Sequence, residues 1–224
     1  MPKLQQIKEE LISPLLAEET TIYARILNDI ANAVFVSDDR LVTTQLAKRY
    51  NTSINPIREA LKQLQGEGFV TVAPNSGARV AKFEYHTMRD VFEILQLLDP
   101  YLMEWFVDGH TTEQLNELHE LVKTMEALTP ETQYNYRVLD TQFHLLMYSN
   151  HYNKSAVDLW RRKRLILLAM HSNLTLNSAR ISQSIKEHKE MLATIAKRDV
   201  EATLTLLKQH ISNSGQYWSR FIQK

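Results

Sequence analysis

The chain has 224 residues, enough for two modest domains, and its 26 Lys and Arg balance 26 Asp and Glu, so it is not a protein that coats nucleic acid indiscriminately. It has no cysteine, which excludes disulfides and thiolate metal sites and fits a reducing cytoplasm. The longest wholly apolar run, Leu165 to Met170, is far too short to span a bilayer and no charged-then-apolar signal opens the chain, so a cytoplasmic location and no membrane partner are expected.

Residues 1–19 are polar and sparsely apolar and read as a loosely held arm. Residues 20–82 carry eight Lys and Arg against five Asp and Glu, a local excess of positive charge suited to a site-specific binder. Within them, Leu41, Leu46 and Ala47 supply the apolar side of a short helix that Thr43 or Thr44 can cap, and 51–53 form a turn. Ser53 then caps a second helix with Pro56 in its first turn, where a missing N–H costs little. Ile57, Leu61 and Leu64 recur at helical spacing, while Arg58 and Lys62 lie four apart on another face, available to phosphates or base edges. Gly66 and Gly68 end this helix, 69–73 alternate like a strand, Asn75-Ser76-Gly77 makes a turn and 78–81 returns. Two short helices followed by a tight hairpin describe a winged helix-turn-helix, a DNA-reading device.

This segment resembles the GntR family of bacterial transcription regulators in Ser53, Pro56-Ile57-Arg58-Glu59-Ala60-Leu61, Leu64, Glu67-Gly68 and Gly77-Ala78-Arg79-Val80. A single wing and recognition helix span only half a site, so a homodimer on a pseudo-palindromic double-stranded operator is expected, with DNA contacts from Thr44, Ser53, Ile54, Asn55, Arg58, Lys62, Ser76, Gly77 and Arg79. Repression is the commoner outcome in that family. Two departures stand out: Ile54 replaces a usual basic residue, and the loop at Asp38-Asp39 lacks the family's glycine. Ile54 cannot read guanine bidentately, so either it touches thymine methyls or more of the readout passes to Asn55, Arg58 and the wing.

Three of the five glycines lie between residues 66 and 77, and only Gly109 and Gly215 follow, so residues 83–224 read as an all-α antiparallel bundle. The helices expected there run over 90–107, 112–128, 131–149, 154–175, 179–197 and 199–222. Thr111 and Gln114 form a capping box for the second, and Pro130 breaks the chain before the third. The fold class is thus mainly α, a winged helix-turn-helix followed by a helical effector-binding and dimerisation domain.

The chemistry of the bundle lies in four residues. Asp140 and His144 are four apart in one helix, so both project from one face. His188 interrupts the core stripe Ile181, Ile185, Leu192, Ile195, and His210 follows Leu207 by one turn. A single such histidine is ordinarily a hydrogen-bonded core residue. Three of them buried around a carboxylate would cost several kcal/mol without partners, and a divalent metal, zinc first with nickel or manganese as alternatives, satisfies them all.

Residues 83–224 also resemble the FCD domain, the ligand-sensing C-terminal domain of the FadR branch of that family, in Phe143-His144, Asn150, Glu187-His188, Ala193-Thr194-Ile195, Asp199, Ala202 and His210-Ile211. The resemblance implies that Asp140, His144, His188 and His210 hold the metal, in the six-helix subgroup. Leu95 stands where the family often has an arginine that grips an effector carboxylate, so an anionic effector needs another cation, and Arg137, three residues before Asp140, is the first candidate. His171 is a candidate to line the effector pocket, and 161–164 read as a solvated or subunit-facing basic run. The expected function is a transcription regulator, a repressor by preference, whose operator affinity follows a small metabolite, an organic acid or similar, bound at the metal. The alternatives are a metal sensor and, less favoured because no acid or base stands beside the ligands, a metalloenzyme with a DNA-binding appendage.

Overall fold

An amphipathic helix, absent from the elements expected above, opens the first unit of the fold. The computed structural model describes residues 13–17, 19–73, 77–82, 85–129, 132, 135–171 and 176–222. A 3-10 turn over Pro14–Leu16 precedes α1 (Ile22–Ala31), whose cap Thr21 accepts a hydrogen bond from the Ala24 amide at 3.2 Å. Ile26, Leu27 and Ile30 form its buried stripe. Then come β1 (Arg40–Leu41), α2 (Thr43–Tyr50) and α3 (Ile54–Gly66). Neither Thr43 nor Thr44 caps α2: Val42 holds the cap position, its carbonyl accepting from the Leu46 amide at 3.0 Å. The extended residues of β1 lead straight into the helix, so it starts before either hydroxyl can serve. Ser53 occupies the cap position of α3, but its side chain makes no capping bond.

Buried Ile57, Leu61 and Leu64 turn α3 inward against α1 and α2. Asp29, buried in α1, accepts from Tyr50 Oη at 2.7 Å and Arg49 Nε at 2.8 Å, tying α1 to the end of α2. The wing is β2 (Val70–Ala73) and β3 (Gly77–Val80), antiparallel with Val70 opposite Val80 and Ala73 opposite Gly77; β1 adds to β3 to give the order β1-β3-β2. Gly77 has φ +75°, a conformation that glycine adopts at no steric cost. Ser76 lies outside the described residues.

The chain divides into two compact units, residues 1–84 with 164–174, and residues 85–163 with 175–224. The helices that follow the wing in the chain are α4 (Tyr85–Gly109), α5 (Thr112–Glu126), α6 (Tyr136–Tyr148), α7 (Lys154–His171), α8 (Ser178–Ile195) and α9 (Val200–Ile222). The capping box of α5 is present, with Thr111 Oγ1 accepting from the Gln114 amide at 3.2 Å and Gln114 Oε1 from the Thr111 amide at 2.9 Å. α6 starts at Tyr136 rather than residue 131, because a turn in which Thr132 Oγ1 accepts from the Thr129 amide at 2.9 Å precedes it. α8 ends at Ile195, where Arg198 takes a left-handed conformation and donates to the Val107 carbonyl at 3.2 Å and the His110 carbonyl at 2.9 Å, stitching the α8–α9 turn to the end of α4. α9 packs on α4 and α8, α5 on α6 and α8, and α4 on α6. That arrangement brings inward faces of α6, α8 and α9 together. No helix among the described residues is long and apolar enough to cross a membrane.

Candidate functional site

Each of the three inward faces delivers an imidazole. His144 on α6, His188 on α8 and His210 on α9 are all buried, and Asp140, one turn before His144, is half-buried beside them. One potential ligand atom from each of the four lies within 4.8 Å of all the others. The ring centroids are 5.6 Å apart for His144 and His188, 5.5 Å for His144 and His210, and 4.9 Å for His188 and His210. His188 Nε2 stands 3.4 Å from Asp140 Oδ1, while Phe143 stacks on the His188 ring at 4.3 Å. Burial, with His210 beside it, pushes the His188 imidazole down to about 3, so the ring is neutral, the form that ligates a metal.

His188 supplies the test of fit. It is completely buried, and neither ring nitrogen has a hydrogen-bond partner among the described residues. Buried polar groups are ordinarily paired, and a cation held between the three rings and the carboxylate would pair both His188 and its neighbours. The residues present fit a divalent ion with mixed nitrogen and oxygen ligands.

A second layer of polar groups, missed in the sequence reading, holds these side chains in place. Glu187 Oε2 accepts a hydrogen bond from His210 Nδ1 at 2.7 Å, leaving Nε2 as the ring's lone-pair donor. Asn213 Nδ2 at 2.8 Å, Gln183 Nε2 at 3.2 Å and Arg180 Nη1 at 3.3 Å grip the same carboxylate. Burial alone would raise the Glu187 pKa, but these partners, His210 first, hold it down to about 2. Tyr136 Oη reaches Asp140 Oδ1 at 3.4 Å. Glu187 adjoins His188 in the chain; its acidic side chain on a face shared with Arg180 and Gln183, in an otherwise apolar stripe, was the available signal. Replacing Glu187 with alanine is expected to weaken metal affinity by about 10–100-fold, measured by competition with a chromogenic chelator.

Leu95 is buried and brings no charge. Arg137 lies over the Trp218 ring at 5.4 Å, and burial draws its pKa down to about 10 while Tyr217 and Asp140 oppose the fall. Arg180, on α8, is a second enclosed cation, also hydrogen-bonded to Ser214 Oγ at 2.9 Å. The side chain of His171 lies outside the described residues.

On the reading head, Ser53, Ile54, Asn55, Arg58 and Lys62 are all exposed on α3, and Thr44 is exposed on α2. Ile54, at the start of α3, is 36% exposed. Arg79 Nη1 donates to the Asp38 carbonyl at 2.8 Å, so its guanidinium braces the base of the wing as well as facing solvent. Gly77 begins β3 beside Arg40, whose Nε lies 3.9 Å from where a Cβ would stand.

The pattern of bacterial regulatory proteins of the gntR family matches residues 18–80, and that of the FCD domain matches residues 90–213, more than half of the chain. The chain belongs to the GntR family. It is a transcriptional regulator of the GntR/FCD type. The HTH-type transcriptional repressor GlaR of Escherichia coli (strain K12) is 26% identical over 202 residues, covering 84% of this chain and 90% of that protein. The Uxu operon transcriptional regulator of the same strain is 25% identical over 193 residues, covering 77% and 75%. The solved structure of E. coli McbR/YncC shares the fold of this GntR protein with a TM-score of 0.74 at 21% identity, covering 94% of this chain and all of that one.

Proposed function

We infer that this GntR/FCD regulator is a homodimeric repressor whose operator affinity is set by a small organic acid bound at a divalent metal in the helical unit. The observation that carries the reading is the convergence of Asp140, His144, His188 and His210 on one buried point in a chain that also holds a DNA-reading head. When bound, the ion would supply a Lewis-acidic anchor for a carboxylate or hydroxyl oxygen. Three imidazoles and one carboxylate leave coordination positions for such oxygens on a six-coordinate ion.

The protein's own groups would do the rest. Asp140 offsets part of the ion's charge, and Glu187 orients the His210 ring. Arg137 is the nearby cation assigned to a second effector oxygen, its planar guanidinium suited to a carboxylate. On the DNA side, one recognition helix and wing cover half a site, so two copies on a pseudo-palindrome are required. An effector alters DNA binding only if it prefers one arrangement of the paired heads, because equal affinity for both shifts nothing.

The test is calorimetry of di- and hydroxycarboxylates against metal-loaded and chelator-stripped protein, paired with operator gel shifts. The expected result is binding only to the loaded form, a change in operator affinity equivalent to about 1–3 kcal/mol of coupling, and loss of effector binding in His210→Ala while some operator binding survives. An operator affinity that follows the metal with no acid present would install the metal itself as effector. An acid that binds the stripped protein equally well would overturn the mechanism.

A further inference from the structure

Large apolar side chains are scarce on the surface of the reading head. Among the described residues up to 82, those left exposed are Ile54 and Val72. Val72 belongs to the wing strand β2, whereas Ile54 is the first residue of α3. Three residues separate α3 from α2, and Asn51, the first of them, takes the left-handed conformation (φ +51°) that turns the chain between the two helices. The second helix of such a motif lies in the major groove with its N-terminal residues at the base edges. Ile54 therefore stands where bases are read.

Its neighbours on that face are polar. At about 100° of turn per residue, Ile54, Arg58, Lys62 and Asn55 fall within roughly 100° of arc, and all four are exposed. Asn55, Arg58 and Lys62 enter no hydrogen bond or ion pair among the described residues, so their donors are open to DNA. Glu59, the acid of α3, lies off this arc, lining a groove with Gln63 and with Thr21, Ile22 and Tyr23 at the start of α1. The polar side chains each have a hydrogen-bonding counterpart on a base edge or a phosphate. Ile54 has no donor or acceptor to offer. Set against a polar base edge, it would cover that group and return no hydrogen bond. The apolar feature that the major groove presents is the C5 methyl of thymine.

We propose that Ile54 is a specificity residue that packs on the C5 methyl of a pyrimidine, thymine in unmodified DNA, while Asn55 and Arg58 beside it take the hydrogen-bonding edges of neighbouring bases. Each operator half-site thus carries a thymine at the position met by the first residue of α3. The proposal rests on the DNA-reading part of the function inferred above and needs neither the metal nor an effector.

The test starts from duplexes that the full-length chain selects out of a randomised library. In the enriched duplex each thymine is replaced in turn by uracil, which removes one methyl and leaves base pairing intact. At one position per half-site the replacement is expected to weaken binding by about 4-fold, and by about 15-fold when both half-sites are changed, the loss of one buried methyl each. Ile54→Ala exchanges an exposed side chain for the best helix former, so the head stays folded. This variant should bind the thymine duplex more weakly and show no uracil penalty. Cytosine at the same position, with and without a 5-methyl group, separates the methyl from the rest of the thymine edge: wild type should prefer the methylated base and Ile54→Ala should not. A uracil penalty at no position, or one that Ile54→Ala keeps in full, would overturn the assignment while leaving DNA reading intact. A library from which the wild-type chain enriches nothing would overturn both.

Discussion

Replacing His188 with alanine is expected to remove the bound ion and lower the melting temperature of the helical unit together. His188 is wholly buried, stacked on Phe143 and 3.4 Å from Asp140, so its loss takes one imidazole from the centre and leaves the carboxylate facing two rings. An ion that binds only the folded state adds stability in proportion to the logarithm of its saturation, about 2.7 kcal/mol at one hundred times its dissociation constant. For a protein of this size that is roughly 5–10 °C in melting temperature. A simple packing loss would destabilise the variant equally with and without metal. The ion's share is recognised because wild type and His188→Ala should melt closer together in chelator than in metal. Equal differences in both conditions would mean that His188 serves packing alone.

Arg58→Ala is expected to weaken specific operator binding by about 1–3 kcal/mol without altering the fold. Arg58 is exposed on α3, whose buried residues include Ile57, Leu61 and Leu64, so truncating it leaves the core of the reading head untouched. Because Ile54 at the start of the same helix cannot read guanine bidentately, Arg58 is expected to carry more of the hydrogen-bonded readout than it would beside a second arginine. Fluorescence anisotropy on operator and scrambled duplexes at several salt concentrations separates the two roles. A base contact costs affinity for the operator more than for the scramble, and a phosphate contact weakens both and flattens the salt dependence. Full operator affinity in Arg58→Ala would remove it from the interface.

Much of this architecture was legible from local chemistry. The Thr111–Gln114 capping box needs only two side chains at fixed spacing, and it forms as read. The Asp140–His144 pair and the stripe around His188 needed only helical periodicity to place them on inward faces. What escaped the sequence depends on neighbours far along the chain. α1 lacks glycine or proline punctuation and was absorbed into the segment before the helix-turn-helix, although Thr21 caps it and Asp29 ties it to Arg49 and Tyr50. The start of α2 was misplaced because the strand residues before Val42, not a hydroxyl, decide it. Glu187 escaped because its role exists only once α9 lies against α8 and brings His210 and Asn213 within 2.8 Å. Arg180 was hidden likewise, its charge meaningful only beside Glu187 and Ser214.

The central claim, that the four converging side chains hold a metal, is met most directly by elemental analysis of wild-type protein purified without an affinity tag, before and after dialysis against chelator. One equivalent of zinc, nickel or manganese per chain is the expected result, with loss of melting temperature on chelation and recovery on adding the ion back. Protein that carries no metal as purified, takes up none on titration and melts at the same temperature throughout would contradict it.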